Sequence, residues 1–373
     1  MPNVGDLAGL RVALVLGTST GGTARHVRLL AGGLTGRRAV VTVMGPAATD
    51  QSFGFTATGA TFVALDVTER PRPGHDLAAV VRLRRLLRDM DIVHAHGLRA
   101  GGLCGLALTG RGGPPLVVTV HNAVIGTGLV RAAYKVLERI VARRATVVLG
   151  VSPDLVERAR RRGASSVDLA VVPAPAPVPQ VRDRLAVRAE LALDDDRPLV
   201  VSAGRLFEQK GFDALLTASG HWAGRSPPPL VVIAGTGPLR SHLAGRIEAE
   251  HLPVRLLGHR QDVADLLGAG DVLVVSSVWE GQPMIVQEML RAGRPLVATD
   301  VGGIPRLAGD AAVLVPPDEP LALAVAVERL LDDPVAAGLL AESARARAAQ
   351  LPTEDDAVDQ VTAVYSRHTR RPP

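Results

Sequence analysis

The sequence predicts an α/β protein made of two doubly wound domains of similar size, and three observations carry that prediction. Short apolar runs bounded by turn residues, such as LRVALVLG, LVVTV and DVLVVSS, alternate with longer stretches of helical period, the pattern of a parallel sheet wrapped by helices. At 373 residues the chain is long for one hydrophobic core, given roughly 150 residues per domain. Between the halves lies VVPAPAPVPQ (171–180), whose four prolines force extended backbone and remove amide donors. This stretch reads as a linker, with domains at 1–178 and 179–355.

The elements follow in order. LRVALVLG is a strand ending in the glycine-rich turn GTSTGGT, and ARHVRLLAGGL, apolar at Val27, Leu30 and Leu34, is the helix after it. DIVHAH, LVVTVH and ATVVLGVS are further buried strands, the last running into a helix with Ser152 as N-cap and Pro153 at its first position. The second half repeats the scheme with PLVVSAGRL, PLVVIAGTG, VRLLG, DVLVVSS and PLVATD. Ligands of such sheets bind beyond the carboxyl ends of the strands, so the loops after these runs are where chemistry is expected.

Composition excludes several classes. Hydrophobic residues make up 47% and charged residues 21%, which suits a folded soluble chain. The single cysteine, Cys104, rules out an internal disulfide, and the N-terminal stretch lacks the basic and apolar regions of a signal peptide, so a cytoplasmic location is expected. No run reaches the 18 or so apolar residues of a membrane span. The net charge of +5 is uneven: residues 1–178 hold 22 basic and 11 acidic groups, and the remainder is net negative. Nearly all the basic residues are arginine, partly a codon effect.

Candidate residues lie at the strand ends. After VVSAG come Arg205 and Lys210, then Gly211 and a helix, a glycine-flanked loop with two cations that suits a diphosphate as well as it suits a capped helix with solvated charges. AGTGP, with Gly235, and LLGHRQDV, with Gly258, are tight loops that either approach a ligand closely or simply end strands. WEGQPMIVQEML (279–290) places Glu280 in a loop and Glu288 about a turn into the next helix, near one cleft. A carboxylate accepts bonds from two adjacent sugar hydroxyls, so one can hold a ribose and the other a hexose; an unrelated pair of surface glutamates is the alternative. His121 follows LVVTV and can donate to a substrate hydroxyl or carbonyl. His94 and His96 stand at strand spacing, face one way, and at least one is expected to be structural. No cysteine or carboxylate cluster accompanies them, so no metal site is expected.

With these residues in hand, the chain resembles the large retaining glycosyltransferase family 4 over nearly its whole length. The resemblance is most specific in SAGRLFEQKG, VIAGTGPL, the stretch from LLGHRQDV to DVGGIP, and AVLVPPDEP; STGGTARHV, DIVHAHG and VVTVHN resemble the family's first-domain motifs. It implies the GT-B fold, two Rossmann-like doubly wound domains facing each other across a cleft, with a C-terminal helix and tail (356–373) that packs back on the first domain. It further implies that Arg205 and Lys210 hold the diphosphate of a nucleotide sugar and that Glu288 binds its ribose. Glu280 and the backbone after it, Gly281, Pro283, Met284 and Ile285, would meet the transferred sugar, and Gly235 and Gly258 would line the donor site. His121 would contact the sugar from the other domain, Gly22 would line the phosphate side, and Gly21, Gly22 and His96 the acceptor side. The chain departs from the family at Thr236, where an acidic residue is common, at Arg306, where a glutamate is usual, and at Met289, where alanine is common.

The activity implied is transfer of a hexosyl group from a UDP- or GDP-sugar to a hydroxyl of a lipid-linked or glycan acceptor, with retention and with neither metal nor cofactor. A non-catalytic nucleotide-sugar sensor keeps the same binding residues and is the alternative. VVRLRRLLRD (80–89) and RAAYKVLERIVARR (131–144) read as basic helix faces; they are either solvated surface or a reversible contact with anionic membrane at the inner face of the plasma membrane. Nucleic acid is not an expected partner, since aromatics are 2% of the chain and leave little for base stacking. A nicotinamide enzyme is disfavoured because GTSTGG fits poorly to G-x-G-x-x-G.

Overall fold

The structure is a computed structural model that describes residues 7–19, 21–68, 72–110, 113–122, 128–174, 180–194 and 196–369. The chain divides into two compact units, Met1–Pro173 with Pro352–Pro373, and Ala174–Leu351.

In the first unit, β1 (Arg11–Leu16), β2 (Val40–Gly45), β3 (Thr61–Ala64), β4 (Ile92–His96), β5 (Leu116–Val120), β6 (Val147–Gly150) and β7 (Val167–Leu169) form one sheet in the order β3-β2-β1-β4-β5-β6-β7. Every neighbouring pair is parallel. The helices between them are α1 (Gly22–Gly36), α2 (Ala47–Phe53), α3 (Pro73–Leu86), α4 (Leu98–Ala107), α5 (Gly128–Arg144) and α6 (Pro153–Arg161). Val12 to Leu16 and all of β4 and β5 are buried, as strands covered on both faces must be. Strand order reverses between β1 and β4, so the loops that follow them diverge and open a crevice at their carboxyl ends. Ser152 precedes α6, but its hydroxyl donates to Asp154 Oδ1 at 2.5 Å and does not cap the helix amides as expected.

The second unit repeats the plan. It runs α7 (Arg184–Glu190), β8 (Leu199–Ala203), α8 (Phe212–His221), β9 (Leu230–Ala234), α9 (Arg240–Ala249), β10 (Val254–Gly258), α10 (Val263–Ala269) and β11 (Val272–Val275). It continues through α11 (Met284–Ala292), β12 (Leu296–Thr299), α12 (Ile304–Ala308), β13 (Val313–Val315), α13 (Pro320–Asp332) and α14 (Pro334–Ala348). The parallel sheet has the order β10-β9-β8-β11-β12-β13, with its own reversal between β8 and β11. Alternate residues of β8 serve opposite faces: Leu199 and Val201 join Leu273, Met289 and Leu290, while Val200 joins Val231, Phe212 and Trp222.

The last helix, α15 (Glu354–His368), belongs to the first unit. It opens on a capping box in which Asp356 N–H donates to Thr353 Oγ1 at 3.2 Å and Thr353 N–H donates to Asp356 Oδ2 at 2.7 Å. It lies so close to α1 that a Cβ on Gly33 would fall 2.3 Å from Val358 Cγ2. Arg37 Nη1 donates to Thr362 Oγ1 at 2.9 Å, and Gln360 bonds to the carbonyl of Leu169 at the end of β7 and to the amide of Val171 just beyond it. The unit boundaries fall at 173/174 and 351/352, a few residues before the 178/179 and 355/356 read from the sequence. Ala174 N–H already donates to Gln287 Oε1 of α11 at 2.8 Å, and Leu351 is buried in the second unit's core. Most of the linker, 175–179, lies outside the described residues.

Candidate functional site

In the second unit the candidate residues gather at the strand-order reversal. β8 is followed by Gly204 and Arg205; a short 3-10 turn, Glu208–Lys210, then leads through Gly211 into α8. β11 is followed by Ser276 and Ser277, and the loop carrying Glu280 leads into α11. Lys210 Nζ forms an ion pair with Glu280 Oε1, so a cation from one side of the reversal meets the carboxylate from the other. Glu280 is 6% exposed. Val278 N–H donates to the Gln209 carbonyl at 2.9 Å, Gln209 Nε2 donates to the Trp279 carbonyl at 2.9 Å, and Gly303 N–H donates to the Glu280 carbonyl at 3.0 Å. The two loops are thereby stitched together.

The glycines are required by close backbone approach. Gly235 has φ of +147°, and a Cβ there would lie 1.8 Å from the Gly204 carbonyl oxygen; one on Gly237 would lie 2.4 Å from that of Leu206. Leu206 N–H donates to the Thr236 carbonyl and Gly235 N–H to that of Gly258, which ties the loops after β8, β9 and β10 into one rim. Arg205 is exposed on this rim, its guanidinium 4.4 Å above the Phe207 ring. Glu288 is half-buried on α11, whose C-terminus Gly293 closes in the left-handed conformation. Pro283, Met284 and Ile285 form the start of that helix, and Gly281 is buried in the loop before it.

In the first unit, Gly21 and Gly22 open α1, whose Ala24 N–H donates to Ser19 Oγ at 3.2 Å, and four imidazoles gather nearby: His26 of α1, His94 and His96 of β4, and His121 just after β5. The rings of His94 and His96 stack at 4.2 Å, and His26 meets His96 and His121 edge-on at 5.8 and 5.6 Å. His96 Nδ1 and His121 Nε2 share a hydrogen bond at 3.2 Å. His94 is tied to structure on both sides, to the Tyr365 hydroxyl of α15 and to Thr119 Oγ1, each at 2.7 Å. Burial pushes His26 down to about 4 and His94 to about 3, and holds His96 and His121 well below the ordinary imidazole value, so all four are neutral at pH 7. Among the described residues no three His, Cys, Asp or Glu side chains come together as a metal site.

The family model described as glycosyl transferase 4-like domain matches residues 21–175, and that described as glycosyl transferases group 1 matches 197–333. A D-inositol 3-phosphate glycosyltransferase of Xylanimonas cellulosilytica is 32% identical over 310 residues, covering 76% of this chain and 73% of its own. The chain belongs to the group 1 glycosyltransferases. The alpha-D-kanosaminyltransferase of Streptomyces kanamyceticus is 29% identical over 306 residues, 76% of this chain and 79% of that one. The crystal structure of Anabaena Alr3699/HepE in complex with UDP shares the GT-B fold at a TM-score of 0.81 and 20% identity, over 96% of this chain and 100% of that one.

Within this glycosyltransferase, two of the three positions that depart from the family lie at the surface. The Thr236 side chain is exposed while its carbonyl serves the rim, and Arg306 is exposed on α12. Met289 is fully buried in the second unit's core, where a long apolar side chain packs in place of alanine. Two groups escaped the sequence reading. His26 was hidden because one imidazole on a helix has no distinctive spacing, and the serine pair 276–277 because strands commonly end in serine.

Proposed function

We propose that this glycosyltransferase moves a hexosyl group from a UDP- or GDP-sugar to a hydroxyl of a lipid-linked or glycan acceptor, with retention at the anomeric carbon and without a metal ion. The observation that carries the reading is the meeting of Lys210 and Glu280 at the reversal of the second sheet, on the same rim as Arg205. In the reaction the bond between the anomeric carbon and the diphosphate oxygen breaks with its electron pair going to the phosphate. A bond from the acceptor oxygen forms on the same face, and the hydroxyl proton passes to the departing phosphate, so no separate general base is needed. Arg205 and Lys210 compensate the charge that grows on the diphosphate, the task a metal performs elsewhere. Glu288 accepts from the ribose hydroxyls, while Glu280 and the backbone from Gly281 to Ile285 engage the sugar. His121, neutral through burial, offers a hydrogen bond to a substrate hydroxyl or carbonyl.

Nucleoside diphosphate release from UDP-, GDP- and ADP-sugars tests the reading, with UDP-sugars first because the Anabaena neighbour is crystallised with UDP. Release with one donor, unchanged by EDTA and lost in Glu288→Ala, is expected. Release from none of them by protein that binds a nucleotide sugar would overturn it. The anomeric proton of the product, read by NMR, must show the donor's configuration.

The proposed acceptor side includes reversible contact with an anionic membrane at the cytoplasmic face. On α3, Leu77 and Val81 are exposed beside Arg82, Arg84 and Arg85, with Arg88 just past its end; on α5, Val136 is exposed beside Arg131, Lys135, Arg139 and Arg143. Each basic residue near such a surface contributes about 1 kcal/mol. Liposome flotation should rise with the fraction of anionic lipid, and indifference to it would remove the contact. No helix among the described residues is long and apolar enough to cross a membrane.

A further inference from the structure

The Lys210–Glu280 pair is not held by its own attraction alone. Both partners are fastened to two consecutive serines at the end of β11. Ser276 Oγ donates to the Lys210 carbonyl at 3.0 Å, and Ser277 Oγ donates to Glu280 Oε1 at 2.8 Å, the same oxygen that meets Lys210 Nζ. The two serines are 2% and 1% exposed. Their backbone is fixed in turn: Thr299 Oγ1 of β12 donates to the Ser277 carbonyl at 2.6 Å. The Ser276 carbonyl passes so close to Gly211 that a Cβ there would lie 2.0 Å away.

We propose that Ser276 and Ser277 are the positioning residues of the donor site: one fixes the backbone from which Lys210 reaches, the other the plane of the Glu280 carboxylate that meets it. With Oε1 engaged by both Ser277 and Lys210, the carboxylate has a single orientation, and Oε2 is the oxygen directed to a ligand. Without the Ser277 hydroxyl the plane of the carboxylate turns about its last bond, so sugar and diphosphate are no longer held in fixed relation. Positioning of this kind acts on the transition state more than on ground-state affinity, because the loss is one of geometry. The inference rests on the donor-site reading proposed for Lys210 and Glu280.

The test is a double-mutant cycle on Ser277→Ala and Glu280→Gln, using the donor that the wild-type protein turns over in the panel of UDP-, GDP- and ADP-sugars. Ser277→Ala should lower kcat about tenfold or more, the scale of one hydrogen bond to a charged group, while KM for the donor and the melting temperature stay close to wild type. Ser277→Thr, which keeps the hydroxyl, should recover most of the rate. In the Glu280→Gln background, Ser277→Ala should have little further effect, because the serine acts through that carboxylate. An equal loss in both backgrounds, or a loss seen only as a lowered melting temperature, would overturn the positioning role and leave the donor site standing. Wild-type turnover in Glu280→Gln itself would overturn the donor-site reading, and this inference with it.

Discussion

At the scale of single residues, Lys210 carries the sharpest prediction. The chain has 42 basic residues and only two, Lys135 and Lys210, are lysine. In so arginine-rich a sequence, a lysine at this site points to a need for a compact charge. The room supports that: the Lys210 stem passes 3.5 Å from where a Cβ on Gly204 would stand, and its ammonium already meets a carboxylate fixed by Ser277. A planar guanidinium fork does not reproduce that point contact. Lys210→Arg is therefore expected to remain impaired although it keeps the charge, with Lys210→Ala and Arg205→Ala each losing on the order of a hundredfold in turnover, as removal of one preorganised electrostatic donor does. Wild-type-like rates in the alanine variants would dismiss the diphosphate role. Glu280 and Glu288 were legible because their spacing is part of a family pattern. The serines were not, since their importance lies in which oxygen and which carbonyl they reach, and spacing does not encode that.

At the scale of elements, the packing of α15 on α1 is decided by the absence of a side chain. Gly33 sits mid-helix, where alanine is favoured by about 1 kcal/mol, yet an alanine Cβ would overlap Val358 Cγ2 at 2.3 Å. Overpacking of this sort costs about 1–3 kcal/mol. Gly33→Ala should thus destabilise the first unit in a urea melt, and Gly33→Ala with Val358→Ala should recover the loss. The β-strands quoted from the sequence all form, because short, largely apolar runs bounded by turn residues carry a strong signal. β2, β3, β7 and β13 were missed: the last three are three or four residues long with half-exposed side chains, so hydrophobic patterning marks them poorly, whereas β2 is six residues long and mostly buried, and its run VVTVMG was not singled out. The helix at 80–89 was seen only in part: α3 begins at Pro73, where proline at the first turn marks the start, and ends at Leu86.

At the scale of the molecule, the four imidazoles couple stability to pH. In the unfolded chain each takes up a proton as pH falls through about 6.5, whereas burial delays protonation of the folded protein to about 4 for His26 and about 3 for His94. The unfolded state then binds more protons, so stability falls as pH drops from 6.5 toward 4, at up to about 1.4 kcal/mol per pH unit for each such histidine. Urea midpoints at pH 7.5, 6 and 5 should fall steeply over the last interval, and a flat response would mean the imidazoles are solvated. The carboxylates pull the same way but later: hydrogen bonds from Arg260 and Arg182 hold Glu190 at about 2, so its contribution is lost only below its ordinary range near 4.5. The two-domain plan was legible from length, the proline run and the alternating pattern. The histidine cluster was not, because its members come from α1, β4 and the end of β5, which sequence separates by up to 95 positions and the sheet order brings together.

The return of α15 also orders events in time. Ala357, Val358, Val361, Val364 and Tyr365 are buried in a unit whose other residues are synthesised before any of the second unit exists. A ribosome therefore releases a first domain with an open apolar seam along α1 and a His94 still lacking its tyrosine partner. The second domain, contiguous from 174 to 351, can close while that seam waits. The half made first is finished last, and through that interval it is the half open to chaperones and to aggregation.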